Sequence, residues 1–485
     1  MTATLDPEDC YRALSARDAR FDGVFFVGVH TTGIYCRPVC SARTPRRDRC
    51  AFFGSAAEAE HEGFRACFRC RPELAPGHAP IDATSRLVRD ALARVDAGHL
   101  DEGSVEQLAG ALGVSARHLR RAMEAELGVG PVELAQSRRV ALARKLLAQT
   151  SLSVAQIAFA SGFSSVRRMN TVFRARTGRS PTAFRALGAA AADPTDGVTL
   201  RLEHRAPYAW EAMLGFLATR AIEGVEQVEG DAYLRSASIG AARGWIRVAR
   251  AGDRALEVRV SPALVGGIGG LVPRVRALFD LDARPAPIDG HLGADAVLGS
   301  RVRALAGLRV PGAFDGAELA VRAVLGQQIS VRGATTIAGR LCAALGEPCA
   351  EGLFERCFPS ASAIAAASEP ELRALGLTGA RARTLKALAE RLATGEVSLV
   401  RGSDPEATRA ALLAVPGIGP WTAELCVMRA LGWPDAFPAG DLGVRKALAR
   451  GDEEVPSERL ARERSEAWQP WRSYAVMHLW MGETT

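Results

Sequence analysis

Cys36-Arg37-Pro38-Val39-Cys40 and Cys67-Phe68-Arg69-Cys70 are two close cysteine pairs separated by 26 residues. Two short pairs joined by a long loop form the four-thiolate ligand set of a tetrahedral zinc ion. A thiolate on zinc is deprotonated at neutral pH and stays nucleophilic, so such a site either braces a fold or accepts a transferred group on sulfur. The spacing does not rank the four ligands against one another, and it leaves the purely structural reading open.

A second constellation lies near the other end. Leu413-Ala414-Val415-Pro416-Gly417-Ile418-Gly419-Pro420-Trp421-Thr422-Ala423 reads as a helix, a glycine-rich hairpin and a second helix. Gly417 and Gly419 let the backbone press against a phosphate, and the N–H groups opening the second helix can bind it. The hairpin is followed by Phe437-Pro438-Ala439-Gly440-Asp441, which supplies a carboxylate.

The elements that must hold these groups are distributed over a chain of 485 residues, too long for one hydrophobic core, with 48% apolar residues to build several. Ten cysteines, four of them bunched, argue against a disulfide framework and for a reducing compartment. The first residues, Met1 to Tyr11, carry acids and no apolar leader, and no apolar run is long enough to span a membrane, so the cytoplasm is expected. The net charge of +7 is modest, but from Arg138 to Arg185 there are ten Lys or Arg and no acid. A folded basic surface with a nucleic-acid partner is the reading.

That basic stretch belongs to an internal repeat. Ser104-Val105-Glu106-Gln107-Leu108-Ala109 returns 49 residues later as Ser153-Val154-Ala155-Gln156-Ile157-Ala158. Gly113 and Gly162 supply turns, Arg120-Arg121 is echoed by Arg167-Arg168, and Gly128-Val129-Gly130-Pro131 by Gly178-Arg179-Ser180-Pro181. Each unit reads as a capped short helix, a glycine turn and a second helix. Beyond Asp193-Pro194-Thr195-Asp196-Gly197 the period changes to two in Val198-Leu200-Leu202, Trp245-Ile246-Val248 and Leu256-Val258-Val260, with Ala251-Gly252-Asp253-Arg254 as a hairpin turn. From Gly293 onward helical periodicity returns.

These motifs resemble known families. Thr31 to Cys40 followed by Gly63 to Pro72 resembles the N-terminal domain of the bacterial adaptive-response (Ada) family, over about Asp9 to Gly77. The resemblance implies that Cys36, Cys40, Cys67 and Cys70 hold one Zn²⁺ and that Cys36 takes the methyl of a DNA methylphosphotriester in a single turnover. Arg43, Arg46, Arg47 and Arg49 lie where they can hold the DNA backbone, with a solvated charged loop as the alternative. The repeat resembles AraC/XylS tandem helix-turn-helix activators, with Gly162-Phe163-Ser164-Ser165 as part of the match. If each second helix enters a major groove, Arg117, His118, Arg120 and Arg121 in one unit, and Ser165, Arg167, Arg168 and Asn170 in the other, face DNA.

The hairpin with Asp441 resembles the helix-hairpin-helix glycosylase superfamily, which implies that Asp441 is catalytic. Ala323 to Val331 and Trp468 to Ala475 are similar to 3-methyladenine DNA glycosylase II, a resemblance running from about Val198 to Gly482. It implies base flipping and hydrolysis of the N-glycosidic bond, with Trp421 and Trp480 in the base pocket and Gln328 filling the gap in the duplex. Trp421 stands where lyase-type relatives carry a Schiff-base lysine, so strand cleavage is not expected. Leu425 and Met481 replace pocket tyrosines. Pro348-Cys349 is not followed by His-Arg, so an O6-methylguanine methyltransferase site is not expected.

The expected architecture is multidomain α+β. Residues 1–78 form a four-cysteine zinc methyl-acceptor domain, 80–187 an all-α tandem helix-turn-helix, and 188–197 a linker. Residues 198–292 form a small antiparallel α+β domain, and 293–485 an all-α helix-hairpin-helix glycosylase domain. The expected function joins a methylation-activated transcriptional regulator to a glycosylase for alkylated bases such as 3-methyladenine. Damaged double-stranded DNA and promoter DNA are its partners, with RNA polymerase and the nucleoid as further expectations. Two alternatives stand beside it: a regulator with an inactive glycosylase domain, and a glycosylase with a purely structural zinc module.

Overall fold

The computed structural model describes residues 6–76, 86–96, 98–186, 197–349, 351–449 and 454–481. Most of the expected linker, residues 188–196, lies outside them. Two compact units are formed. One comprises Met1–Arg205, Arg254–Pro273 and Leu281–Ala283, and the other Ala206–Asp253, Arg274–Asp280 and Arg284–Thr485.

The first unit opens with helix Pro7–Ser15 and a small sheet of strands β1 (Phe26–Val29), β2 (Ile34–Cys36), β3 (Cys50–Phe53) and β4 (Arg65–Ala66). The order is β3-β1-β2-β4, with β1 antiparallel to both neighbours and β4 parallel to β2. Successive β1 side chains point to opposite faces. Phe26 joins a cluster with Tyr35, Phe53 and Phe64, and Val27 one with Cys10, Leu14, Phe25 and Cys50.

The repeat folds as its local signals direct. Helix Val105–Ala111 starts in a capping box of Ser104 and Gln107, and helix Val154–Ala160 in the same box of Ser153 and Gln156. The turns fall at Gly113 and Gly162, both at positive φ, before the second helices Ala116–Leu127 and Val166–Thr177. Helix Pro131–Gln149 joins the two helix-turn-helix repeats. Ion pairs Arg176–Glu60 and Arg144–Glu73, each 3.0 Å, seat the repeat on the zinc module, and the Tyr35 hydroxyl donates to Glu60 at 2.9 Å. Strands Val198–Glu203 and Ala255–Val260 complete this unit as an antiparallel pair.

The second unit contains an antiparallel meander of Glu226–Glu229, Ala232–Ile239 and Ala242–Arg250. Period-two alternation marks the last strand, but not Ala232–Ile239. That strand is buried on both faces over its first six residues, including Arg235, so no alternation exists to be read. Helix Trp210–Ala218 packs on this meander. The remainder is helical, as the periodicity from Gly293 predicts. Helix Gly316–Leu325 is apolar on most sides and buries seven residues, and Gly379–Thr394 and Pro420–Arg429 pack against it.

Candidate functional site

The fold brings the four predicted zinc ligands together. The Sγ atoms of Cys36, Cys40, Cys67 and Cys70 all lie within 4.8 Å of one another. Four thiolates about 2.3 Å from one zinc sit about 3.8 Å apart in a tetrahedron, so the constellation fits that ion. Cys36 ends β2 and Cys67 follows β4, and the parallel β2–β4 pairing places the two cysteine pairs side by side. Backbone N–H groups of Arg37 and Ala42 donate to the sulfurs of Cys70 (3.4 Å) and Cys40 (3.5 Å). Hydrogen bonding from Cys36 holds the Cys40 thiol below its ordinary value, at about 6. Cys10 and Cys50 stand apart in the apolar cluster, where burial pushes the Cys10 thiol up to about 11.

Arg43, Arg46 and Arg49 are exposed beyond the first pair. Arg47 is engaged, donating to Glu8 at 3.0 Å and lying 5.2 Å from the Phe52 ring centroid. On helix Ala116–Leu127, Arg117, His118, Arg120 and Arg121 are exposed while Leu119 and Met123 are buried. On Val166–Thr177, Arg167, Arg168 and Asn170 are exposed over buried Met169, Val172 and Phe173. The Asn170 amide donates back to Val166 O at 3.0 Å. Ser165 caps this helix and accepts from Arg168 N at 3.1 Å.

In the second unit the hairpin stands between helices Pro405–Leu413 and Pro420–Arg429. Gly417 adopts φ +87 and Gly419 is the N-cap of the second helix. Asp441 caps helix Leu442–Leu448, accepting the Val444 N–H at 2.9 Å. Its two oxygens also take two indole donors. Trp480 Nε1 donates to Oδ1 at 3.0 Å and Trp421 Nε1 to Oδ2 at 2.8 Å. Hydrogen bonds from fixed N–H groups to a carboxylate orient it. Trp421 and Trp480 are half-buried, so each indole joins an apolar surround to the carboxylate. Leu425 is buried and Met481 half-buried on the helices that carry them.

Gln328 is exposed and adopts φ +57, a conformation with a cost for a residue with a Cβ. The sequence reading passed over its neighbour Gln327, whose amide donates to Gly417 O and to Thr422 Oγ1, both at 3.1 Å. The doubled glutamine was the available signal. Phe216 was also missed. Its ring stacks on Trp480 at 6.2 Å and 20° from the far end of the unit's sequence, where it looks like ordinary helix core.

Comparison with known proteins agrees with these parts. Family models match residues 9–73 (metal binding domain of Ada) and 108–187 (helix-turn-helix domain). They also match 199–315 (AlkA N-terminal domain) and 321–471 (HhH-GPD superfamily base excision DNA repair protein). The chain is 43% identical over 482 residues to the probable bifunctional transcriptional activator/DNA repair enzyme AlkA of Mycobacterium tuberculosis strain H37Rv, covering 98% of this chain and 96% of the relative. It is 35% identical over 283 residues to DNA-3-methyladenine glycosylase 2 of Escherichia coli K12, covering 58% and 96%. The fold of the glycosylase part is shared with a 3-methyladenine DNA-glycosylase from Archaeoglobus fulgidus, with a TM-score of 0.51, 23% identity and coverage of 58% and 97%. The chain therefore belongs to the family of bifunctional transcriptional activator/DNA repair enzymes, in which an Ada-type zinc module and tandem helix-turn-helix precede an AlkA-type glycosylase.

Proposed function

We propose that the chain is a methyl-activated regulator and a monofunctional alkylbase glycosylase, divided at residues 1–78, 80–187, 198–292 and 293–485. The observation that carries the glycosylase reading is the pair of indole N–H groups on the two oxygens of Asp441, beside a glycine hairpin. Loss of a base leaves positive charge at C1′ of the sugar, and a fixed carboxylate lowers the energy of that state and directs a water to it. Trp421 offers no amine, so the reaction ends at hydrolysis. Gln328 stands at the tip that would fill the emptied duplex, and Gly417 and Gly419 face the phosphate backbone.

At the zinc module Cys36 is the methyl acceptor. Its sulfur attacks the methyl carbon of a methylphosphotriester, the C–O bond breaks, and the electron pair stays on the phosphate oxygen, restoring the diester anion. A zinc ion supplies a deprotonated sulfur and holds the four ligands. With a Zn²⁺ held by Cys36, Cys40, Cys67 and Cys70 the four thiolates would leave a net charge near −2, and a methyl on Cys36 would bring it near −1, lowering repulsion from DNA phosphates. Arg43, Arg46 and Arg47 support the backbone, and Arg117, Arg120, Arg121, Arg167, Arg168 and Asn170 contact promoter DNA, with RNA polymerase as the further partner. Among the described residues no helix is long and apolar enough to cross a membrane, in keeping with a place at the nucleoid.

The two activities separate by substitution. Asp441→Asn is expected to abolish release of free 3-methyladenine from alkylated DNA while methyl transfer to protein persists. Cys36→Ser is expected to do the reverse. Base release surviving Asp441→Asn, or methyl uptake surviving Cys36→Ser, overturns the corresponding half.

A further inference from the structure

Behind the Asp441 site lies a cluster of four arginines and two glutamates. Arg235 pairs with Glu318 at 2.6 Å and with Glu226 at 3.6 Å, and Arg322 pairs with Glu226 at 2.9 Å and Glu318 at 3.2 Å. Two cations are thus matched by two anions. Arg220 and Arg429 are left over. Among the described residues neither forms an ion pair. Arg220 donates to Thr219 Oγ1 and to Phe216 O, and Arg429 to the carbonyls of Pro311 and Gly312.

Both surplus guanidinium groups sit on the aromatic stack of the site. The Arg220 guanidinium carbon is 3.8 Å from the Phe216 ring centroid and that of Arg429 is 5.0 Å away. Phe216 stacks on Trp480, which donates to Asp441. Burial first, then Arg322, lowers Arg220 to about 10, and Asp441 acts in the opposite sense. Burial lowers Arg429 to about 9, followed by the like charges of Arg220 and Arg322. Both guanidinium groups are half-buried and lack a salt-bridge partner among the described residues, so a site that develops negative charge beside them is stabilised.

We propose that Arg220, backed by Arg429, determines base specificity by stabilising negative charge on departing bases that are neutral in DNA. The proposal rests on the reading of Asp441 and Trp480 as the excision site. When the C1′–N bond breaks, its electron pair leaves with the base, and water oxygen then bonds to C1′. A cationic alkylated base leaves neutral, and the proton of the water goes to solvent. A neutral lesion base leaves as an anion that takes up that proton. Only the second departure creates negative charge for Arg220 to stabilise, and a cationic base gains nothing from a nearby guanidinium.

The test is single-turnover excision by the full chain from duplexes containing hypoxanthine, which is neutral, or 7-methylguanine, which is cationic. Arg220→Met is expected to slow hypoxanthine release by about tenfold or more and 7-methylguanine release by less than about threefold. Arg220→Lys keeps the charge and is expected to retain hypoxanthine release within about threefold of the parent. Equal slowing of both bases by Arg220→Met, failure of the lysine variant to restore the difference, or no effect on either base overturns the proposal. Asp441→Asn is run alongside. Its failure to stop excision of either base overturns the site itself and not the specificity claim.

Discussion

Replacing Gly417 by alanine tests whether the hairpin depends on the left-handed backbone seen at that residue. A Cβ at Gly417 falls 2.0 Å from Thr384 Oγ1 and 3.1 Å from both Thr384 Cβ and Cγ2, and the residue sits at φ +87. Left-handed backbone costs a residue with a Cβ about 1–2 kcal/mol. Relieving overlap against a packed neighbour adds about 1–3 kcal/mol. Thr384 is buried in helix Gly379–Thr394, so turning its hydroxyl away leaves the two carbon contacts in place. Gly417→Ala is therefore expected to destabilise the glycosylase part by about 2–5 kcal/mol. All seven tryptophans lie at or beyond Trp210, so intrinsic fluorescence during urea unfolding reports this part of the chain. Thr384→Ala in the Gly417→Ala background removes Oγ1 and Cγ2 and is expected to return about 1–3 kcal/mol, the packing share. The moved hairpin also loses its Gln327 contact at Gly417 O, so duplex affinity is expected to fall with stability. A Gly417→Ala variant within about 0.5 kcal/mol of the parent, the range of ordinary surface substitutions, refutes the reasoning. Absence of coupling to Thr384 refutes its steric half.

Stripping zinc with a chelator is expected to loosen the module around β1–β4, since the ion would cross-link the two cysteine pairs; Cys67→Ser should release the metal, read by elemental analysis and by proteolysis of the N-terminal region. Arg167→Ala with Arg168→Ala is expected to weaken promoter binding and to lower the salt slope by about 1–2, whereas an unchanged slope places both side chains off the phosphates. His478 is 1% exposed with neither ring nitrogen partnered among the described residues, and burial, then Arg301, lowers it to about 4. Its folded value lies below the unfolded one, so the unfolded chain binds the extra proton between those values and stability is lost as pH falls through that window. The loss from pH 7 to pH 5 is about 2 kcal/mol; His478→Phe should show an acid-side loss smaller by that amount in urea midpoints taken at the two pH values.

What the sequence made legible was local chemistry. Ser104 with Gln107 and Ser153 with Gln156 announce helix starts because the cap and its partner are three residues apart, and both boxes form. The cysteine pairs announce a metal because ligand type and spacing are themselves the site. The two compact units are not legible locally, since strand Val198–Glu203 pairs with Ala255–Val260 across a stretch, Ala206–Asp253, that belongs to the other unit. Strand Ala232–Ile239 gave no alternation because both faces are covered, and its Arg235 reads as a surface charge until Glu318 is seen beside it.

Asp441 shows why site residues are harder still to read than folds. An aspartate before a helix is already accounted for as an N-cap, worth about 1 kcal/mol wherever it occurs, and its Oδ1 does accept the Val444 N–H. Local sequence cannot separate that role from a catalytic one, because both ask for the same residue at the same place. The proposed role draws on donors from elsewhere: Trp421, twenty residues earlier, and Trp480, thirty-nine later, meet on its two oxygens, one of which a cap alone would leave to water. A capping carboxylate has no need of two indoles. Holding one so firmly fixes the charge in direction as well as position, which is what stabilisation of a transient cation at C1′ requires. Because asparagine still caps the helix, Asp441→Asn removes the charge while leaving the turn intact, and so isolates the chemical role from the structural one.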